Sequence, residues 1–387
     1  MTLTEVIEHL ERSQQRLLGS VPGTLRPFFD SLPLTQRAYL LTGSRGVGKT
    51  TFMLSQLKGS NGMYISADNP LVLSVPLYEL IDAVFMQGYE SVFIDEVHYA
   101  KDWSLHLKAV YDSFPERKIV ISDSSSVLLR RVLGDLSRRF LIRRIPLLSL
   151  REYVYFKTGE LLGVFDCFRS SPQNMMKAVK GVNIMMFYRS YVKEGFRPIF
   201  LEGLYSDRLS NIIEKTIYKD IPFFVPQIAD NHLRFMNAIL GHLAMSRIPT
   251  VNVNSMCSKW EIGKRKLYQL LYAMEHTGLI RIIRRKHDTR INSVGAKVFL
   301  EEPSMYHLFD GDTGSARECF VATLLQESGR EVFASEDEEA ADFVVDGLKV
   351  EVGGRNKKRK AADFVVRDDT DIPLKGILPM WCLGFGY

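Results

Sequence analysis

A chain of 387 residues is too long for one ordinary domain and predicts two or three. Apolar residues make up 46% and charged residues 25%, with a formal net charge of +5, which argues against a disordered or fibrous chain and permits, without requiring, contact with phosphates or nucleic acid. The four cysteines, Cys167, Cys257, Cys319 and Cys382, form no CxxC pair, which argues against a disulfide framework or a cysteine zinc site and fits a reducing cytoplasm. The N-terminal segment carries charges throughout and no long apolar run follows, so neither a signal peptide nor a membrane span is expected.

In chain order, residues 1–36 read as an amphipathic helix, with Val6, Leu10, Leu17 and Leu18 on its apolar side, running into a Pro/Gly-containing loop. Four short apolar runs follow: AYLLT (38–42), MYIS (63–66), SVFIDE (91–96) and KIVIS (118–122). Each is β-rich, as a parallel strand buried on both faces should be. Helix candidates near 49–58, 76–87, 102–113 and 125–136 separate them, and that alternation predicts a parallel α/β sheet covered on both faces over 37–150. Residues 151–228 read as mainly helical, 229–290 as short helices followed by LIRIIRR, and 291–387 as a return to strands (KVFLEE, EVFAS, ADFVV, KVEVG, ADFVV).

The chemistry is concentrated early. Gly43-Ser44-Arg45-Gly46-Val47-Gly48-Lys49-Thr50 fits G-x-x-x-x-G-K-[ST], the P-loop or Walker A pattern, after a strand and before a helix. Glycines let such a loop curl so that successive N–H groups face phosphate oxygens, and the helix start adds its positive dipole end. Lys49 supplies a mobile charge to the β- and γ-phosphates, Thr50 a hydroxyl to Mg²⁺, and Thr51 continues the binding segment. The second motif, Ser91–Glu96, is an apolar strand ending in two carboxylates, as a Walker B strand does. Asp95 stands where Mg²⁺ would be held and Glu96 where a base would act on the attacking water. Ser122-Asp123-Ser124-Ser125, at the next strand end, reads either as a γ-phosphate sensor or as a helix N-cap. Arg138-Arg139, before FLIRRIPL, reads either as a finger reaching a neighbouring subunit's nucleotide or as a solvated basic helix end.

LTGSRGVGKTT, FIDEVH, ISDSSS, LSRRF, IPLLSLREY, EGFRP (194–198) and YKDIPFF (218–224) together resemble the archaeal and bacterial AAA-type P-loop ATPases that carry a C-terminal winged helix and restriction-endonuclease-like domain. The resemblance implies an AAA-like core, a helical insert or lid, a winged helix and an α/β nuclease-like domain over the four regions after residue 36. It leaves Ser124 and Arg139 as the positions matching the family's sensor and finger, with Asp123 and Arg138 where the family has glycines. His98 falls where relatives often have glutamine and is assigned no role.

In the winged-helix region, Leu267, Leu270, Leu271 and Met274 share a helical face, Lys259, Lys264, Arg265 and Lys266 cluster at its start, and Arg284, Arg285 and Lys286 follow the wing strand. DNA contact and simple packing are both open readings there. The final region resembles the PD-(D/E)xK nuclease core, with Asp342 and Glu351 on successive strands and Glu318 on the preceding helix. The lysine due two residues after Glu351 is Gly353, with Lys357 a substitute from the next turn, so loss of cleavage is the expectation. The expected activity is therefore Mg²⁺-dependent ATP hydrolysis that drives change in the C-terminal domains. DNA, a second copy of the chain or a protein partner are candidate contacts, and a slow nucleotide-gated switch or an ATP-dependent nuclease are the alternatives.

Overall fold

The structure of the protein is a computed structural model, and it describes residues 2–124, 136, 138–225, 228–247, 253–287, 296–354 and 361–387. The chain divides into two compact units, Met1–Pro146 and Leu147–Tyr387. No helix among the described residues is long and apolar enough to cross a membrane.

The first unit is built on five parallel strands: β1 Ala38–Thr42, β2 Gly62–Ser66, β3 Ser91–Asp95, β4 Lys118–Asp123 and β5 Leu141–Arg144, in the order β2-β3-β4-β1-β5. The middle strands are apolar without alternation because helices cover both faces, and Leu40, Leu41, Val92, Ile94, Ile119 and Ile121 are almost fully buried. The helices bounded within the described residues are α1 Leu3–Gly19, α2 Lys49–Leu57, α3 Pro70–Leu73, α4 Leu77–Met86 and α5 Trp103–Ser113. Parallel pairing brings the carboxyl ends of β1, β3 and β4 side by side, with Thr42 opposite Asp123 and Ile94 opposite Ile121. In open α/β sheets that edge is where ligands bind.

Helix α1 is shorter than the sequence suggests. A Thr2–Glu5 capping box starts it, and it stops at Gly19, ahead of a 3-10 turn at Pro27–Ser31. Val6, Ile7 and Leu10 are its buried face, while Leu17 and Leu18 are only half-buried. Its Gln14 side chain takes the place of a neighbouring strand. The amide nitrogen donates to the Gly62 carbonyl at 3.0 Å, and the oxygen accepts from the Tyr64 N–H at 2.7 Å, along the outer edge of β2. At the opposite edge, all four residues of β5 are exposed. The helix expected at 125–136 falls outside the described residues except for Leu136, which is buried.

The second unit opens with a helix, Leu150–Thr158, started by a Ser149–Glu152 capping box, and continues through helices at Pro172–Ala178, Ile184–Glu194 and Tyr205–Lys215. Three more, Asp230–Met245, Val253–Trp260 and Lys264–His276, precede an antiparallel pair, β6 Ile280–Ile283 and β7 Lys297–Leu300. Gly278, with φ of 70°, turns the chain out of the last helix toward β6. KVFLEE, assigned from sequence to the final region, thus pairs with LIRIIRR across the 290/291 boundary. A mixed sheet follows, β8 Val332–Ala334, β9 Phe343–Val345, β10 Leu348–Gly353, β11 Phe364–Arg367 and β12 Ile377–Pro379, in chain order across the sheet. The first three strands are antiparallel and the last three parallel, and helix Thr313–Glu327 packs on β10. Arg281, buried on β6, is held by Glu301 at 3.0 Å, Glu327 at 2.8 Å and the Gln326 side chain at 2.8 Å, so the cost of burying its charge is offset by well-placed acceptors.

Candidate nucleotide site

The loop between β1 and α2 needs its glycines. Gly43, Gly46 and Gly48 have φ of 147°, 84° and 100°, in the region that side chains disfavour, and a side chain at Gly43 would collide with the Ile145 carbonyl. Val47 is fully buried, and its carbonyl, with that of Pro146, accepts from the Arg26 guanidinium at 2.8 Å each. The loop is fixed from behind while Ser44 and Arg45 stay half-buried at its front. Lys49, 5% exposed, folds back over the curl: its Nζ donates to the Gly43 carbonyl at 2.7 Å and the Ser44 carbonyl at 3.3 Å. Burial pulls the Lys49 pKa below the ordinary lysine value, against the opposing pull of Glu96 and Asp95. Thr50 and Thr51 occupy the first turn of α2.

Opposite the loop, Asp95 ends β3. Its Oδ2 accepts from the Thr50 hydroxyl at 2.5 Å and from the Tyr64 hydroxyl at 2.9 Å, while Ser122 of β4 donates to its Oδ1. Glu96 takes the left-handed conformation, φ 48° and ψ 51°, a strain that non-glycine residues adopt where the surroundings enforce it. The Glu96 Oε2 accepts from the Ser124 hydroxyl at 2.8 Å and from the Ser124 N–H at 3.3 Å, and Arg45 Nη2 lies 3.5 Å from Oε1. Burial pushes the Glu96 pKa up, but Lys49, Arg45 and His98 outweigh it and hold the carboxyl below the ordinary glutamate value. The fully buried His98 places Nδ1 3.3 Å from Asp123 Oδ1 and 3.6 Å from Glu96 Oε2.

Residues 35–154 match an AAA domain family, AAA_14. The match spans both sequence motifs and the site residues from Gly43 to Ser124. The chain is also 27% identical over 266 residues to the uncharacterized protein MJ1637 of Methanocaldococcus jannaschii, across 62% of this chain and 55% of that protein, so the chain spans about half the length of this curated relative. Among solved structures, the Walker-type ATPase PABY2304 of Pyrococcus abyssi aligns over 71% of this chain and 91% of its own at 13% identity, TM-score 0.38. RuvB T158V of Thermotoga maritima aligns over 79% and 96% at 16% identity, TM-score 0.27.

Within the AAA-matching segment, the structure brings Lys49, Thr50, Asp95, Glu96 and Ser124 together. Arg139 is engaged elsewhere: its Nε and Nη2 donate to the two carboxylate oxygens of Asp112 at 3.0 and 2.8 Å, and its guanidinium lies 5.9 Å from the centre of the Tyr111 ring. Sequence reasoning missed Tyr64 and gave His98 and Asp123 no chemical role of their own. Tyr64 stands on the neighbouring strand, two residues before the Ser66 that pairs with Asp95, and only the sheet order reveals it.

The other predicted carboxylates lie in the second unit. Glu318 lies on helix Thr313–Glu327, Asp342 just before β9, and Glu351 on β10. Asp342 straddles Glu351: its N–H donates to the Val350 carbonyl at 3.1 Å, and its Oδ2 accepts from the Val352 N–H at 2.8 Å. A cation that sequence reading did not single out joins Glu318 and Asp342. Lys297 Nζ donates to Glu318 Oε2 at 2.6 Å and to Asp342 Oδ1 at 3.0 Å. Lys357 lies outside the described residues, as does the rest of the basic run 355–360. Near β6, Arg284 is paired through both Nη atoms with Glu275 at 2.7 and 2.8 Å, while Lys286, Lys264 and Arg265 are exposed; Lys259 lies outside the described side chains.

Proposed function

We propose that this protein binds ATP with Mg²⁺ and hydrolyses it, and that the cycle is read out by the C-terminal region. The observation that carries the reading is the 2.5 Å approach of the Thr50 hydroxyl to Asp95, with Glu96 next in the chain and Lys49 facing the same curl. These are hard oxygen donors of the kind Mg²⁺ takes, so Thr50 and Asp95 fit the ion, Asp95 directly or through water. Mg²⁺, when bound, neutralises charge on the β- and γ-phosphates. Residues 43–51 cradle the phosphates through backbone N–H groups, and Lys49 exchanges its two carbonyl acceptors for phosphate oxygens. Glu96 then accepts the proton of the attacking water, and Ser124 fixes the orientation of that carboxylate. Phosphate release from purified protein given Mg²⁺ and ATP, with and without DNA, tests the reading; no release under any condition defeats hydrolysis. A nucleotide-gated switch with very slow turnover is the second reading, favoured by the Arg45 and Ser124 contacts that engage Glu96.

Arg139 is proposed to act across a subunit interface, which requires it to leave Asp112. Turnover per chain is then expected to rise with protein concentration, and mixing Arg139→Ala with Lys49→Ala chains is expected to restore part of the activity. Turnover flat across concentration assigns Arg139 to the Asp112 pair alone.

The three helices before β6, with the β6–β7 pair, support a winged-helix reading, and the mixed sheet with its packed helix supports a nuclease-like reading without cleavage. Arg284 is already committed to Glu275, so the proposed phosphate contacts fall on Lys286 and the start of helix Lys264–His276. DNA binding is expected to weaken steeply with salt, and replacing Lys264, Arg265 and Lys286 by alanine should flatten the slope of log affinity against log salt by about 0.9 for each phosphate that a removed cation had neutralised. An unchanged slope, or no binding at low salt, leaves this element a packing module.

A further inference from the structure

Lys297 is the first residue of β7 and is 4% exposed, yet it is charged. Burying an ammonium is costly unless carboxylates receive its protons. Here Glu318 and Asp342 receive two of the three, and the face of Phe343 lies 5.0 Å from the nitrogen. Glu318, Asp342 and Glu351 are the carboxylates that the nuclease-like reading assigns to a divalent ion, and the first two share this one ammonium. Three further facts bear on that ion's place. The Oδ1 of Asp342 is taken by Lys297 and its Oδ2 by the Val352 N–H. Glu318 is bridged to Asp342 through the same ammonium. Position 353, where a nuclease core would present its lysine, is glycine.

We propose that the Lys297 ammonium is a built-in cation for this carboxylate group, standing where a divalent metal would otherwise be held, so that the group binds no Mg²⁺ and supports no phosphodiester cleavage. The inference rests on the nuclease-like reading of the C-terminal region and gives it a cause beyond the missing lysine at Gly353. Both carboxylates lie within hydrogen-bond distance of the Lys297 Nζ and hold the ammonium in place. Withdrawing it takes the shared cation from between carboxylates of like charge, which makes the group a site for a divalent cation.

The probe is Mn²⁺, titrated into the nucleotide-free full chain and followed by the fall of the free-ion paramagnetic resonance signal and by thermal unfolding. Lys297→Met is expected to bind one more Mn²⁺ per chain than the unmodified protein and to be stabilised by it. Adding Glu318→Gln and Asp342→Asn to that variant should abolish the gain, and Lys297→Arg should show none. If Lys297→Met folds only with Mn²⁺, or only with the two carboxylates neutralised as well, the ammonium's role as the cation of this group stands. Three results overturn it: a folded Lys297→Met that binds no more Mn²⁺ than the unmodified protein, a triple variant that still fails to fold, or unmodified protein that binds Mn²⁺ through Asp342. Plasmid incubated with the unmodified protein and Mn²⁺ separates the two claims. Cleavage that disappears in Asp342→Asn overturns the non-cutting reading itself, whereas Asp342-dependent Mn²⁺ binding without cleavage overturns only the role of Lys297.

Discussion

Lys49→Ala is expected to lower ATP turnover by about 10³-fold, roughly 4 kcal/mol of transition-state stabilisation, and to weaken nucleotide binding as well. The side chain is nearly fully buried at the mouth of a loop whose backbone is fixed by Arg26, and its ammonium donates to the carbonyls of Gly43 and Ser44. On the proposed reading those carbonyls lie beside the incoming β- and γ-phosphates, so the ammonium meets them by exchanging acceptors. Alanine removes the charge while keeping helix propensity at the start of α2. Phosphate release and titration with a fluorescent ATP analogue measure the two effects, with thermal unfolding as the check on folding. A folded variant with unaltered affinity and unaltered turnover removes the P-loop from the mechanism.

Glu96→Gln separates binding from chemistry. The amide keeps the shape and an oxygen to accept from Ser124, but it cannot take a proton from water. Turnover is expected to fall by about 10²- to 10⁴-fold, the usual contribution of a general base, with ATP affinity retained. The environment of Glu96 makes the direction of its pH response definite. Its folded-state pKa is lowered, so its pairing contributes stability above the ordinary glutamate pKa and loses that contribution as pH falls through the lowered folded value. In Glu96→Gln that component of the acid destabilisation should be missing from thermal unfolding measured down the pH scale. Normal turnover in the variant assigns the base to another group.

The loop and strands of the first unit were legible because their determinants are local. Gly43 to Thr50 is a contiguous turn whose backbone requirements are written in residue types, and β1, β3 and β4 are unbroken apolar runs that only burial on both faces accommodates. What the sequence did not disclose depends on neighbours far apart in the chain. His98 and Asp123 meet because β3 and β4 are adjacent, although each reads alone as an ordinary loop residue. Lys297 opens a strand and reads as a solvated charge; its burial follows from the return of the chain at Glu318 and Asp342. The three-residue strand Ile377–Pro379 carries no pattern at all, being too short for periodicity and ending in a proline that cannot donate to a ladder.

The two edges of the parallel sheet also bear on how readily a second strand could add to it. An unpaired strand edge is a template on which another chain can add. On β2 the Gln14 amide stands in for a neighbouring peptide group, offering one donor and one acceptor to Gly62 and Tyr64, so α1 occupies backbone groups that an added strand would use. On β5, Leu141 and Ile142 are 42% and 41% exposed, a sticky pair, but Arg143 and Arg144 follow at once. Two adjacent cations project to opposite faces of a strand and repel a second copy laid alongside, so the same short segment that completes the sheet carries its own guard against amyloid-like growth.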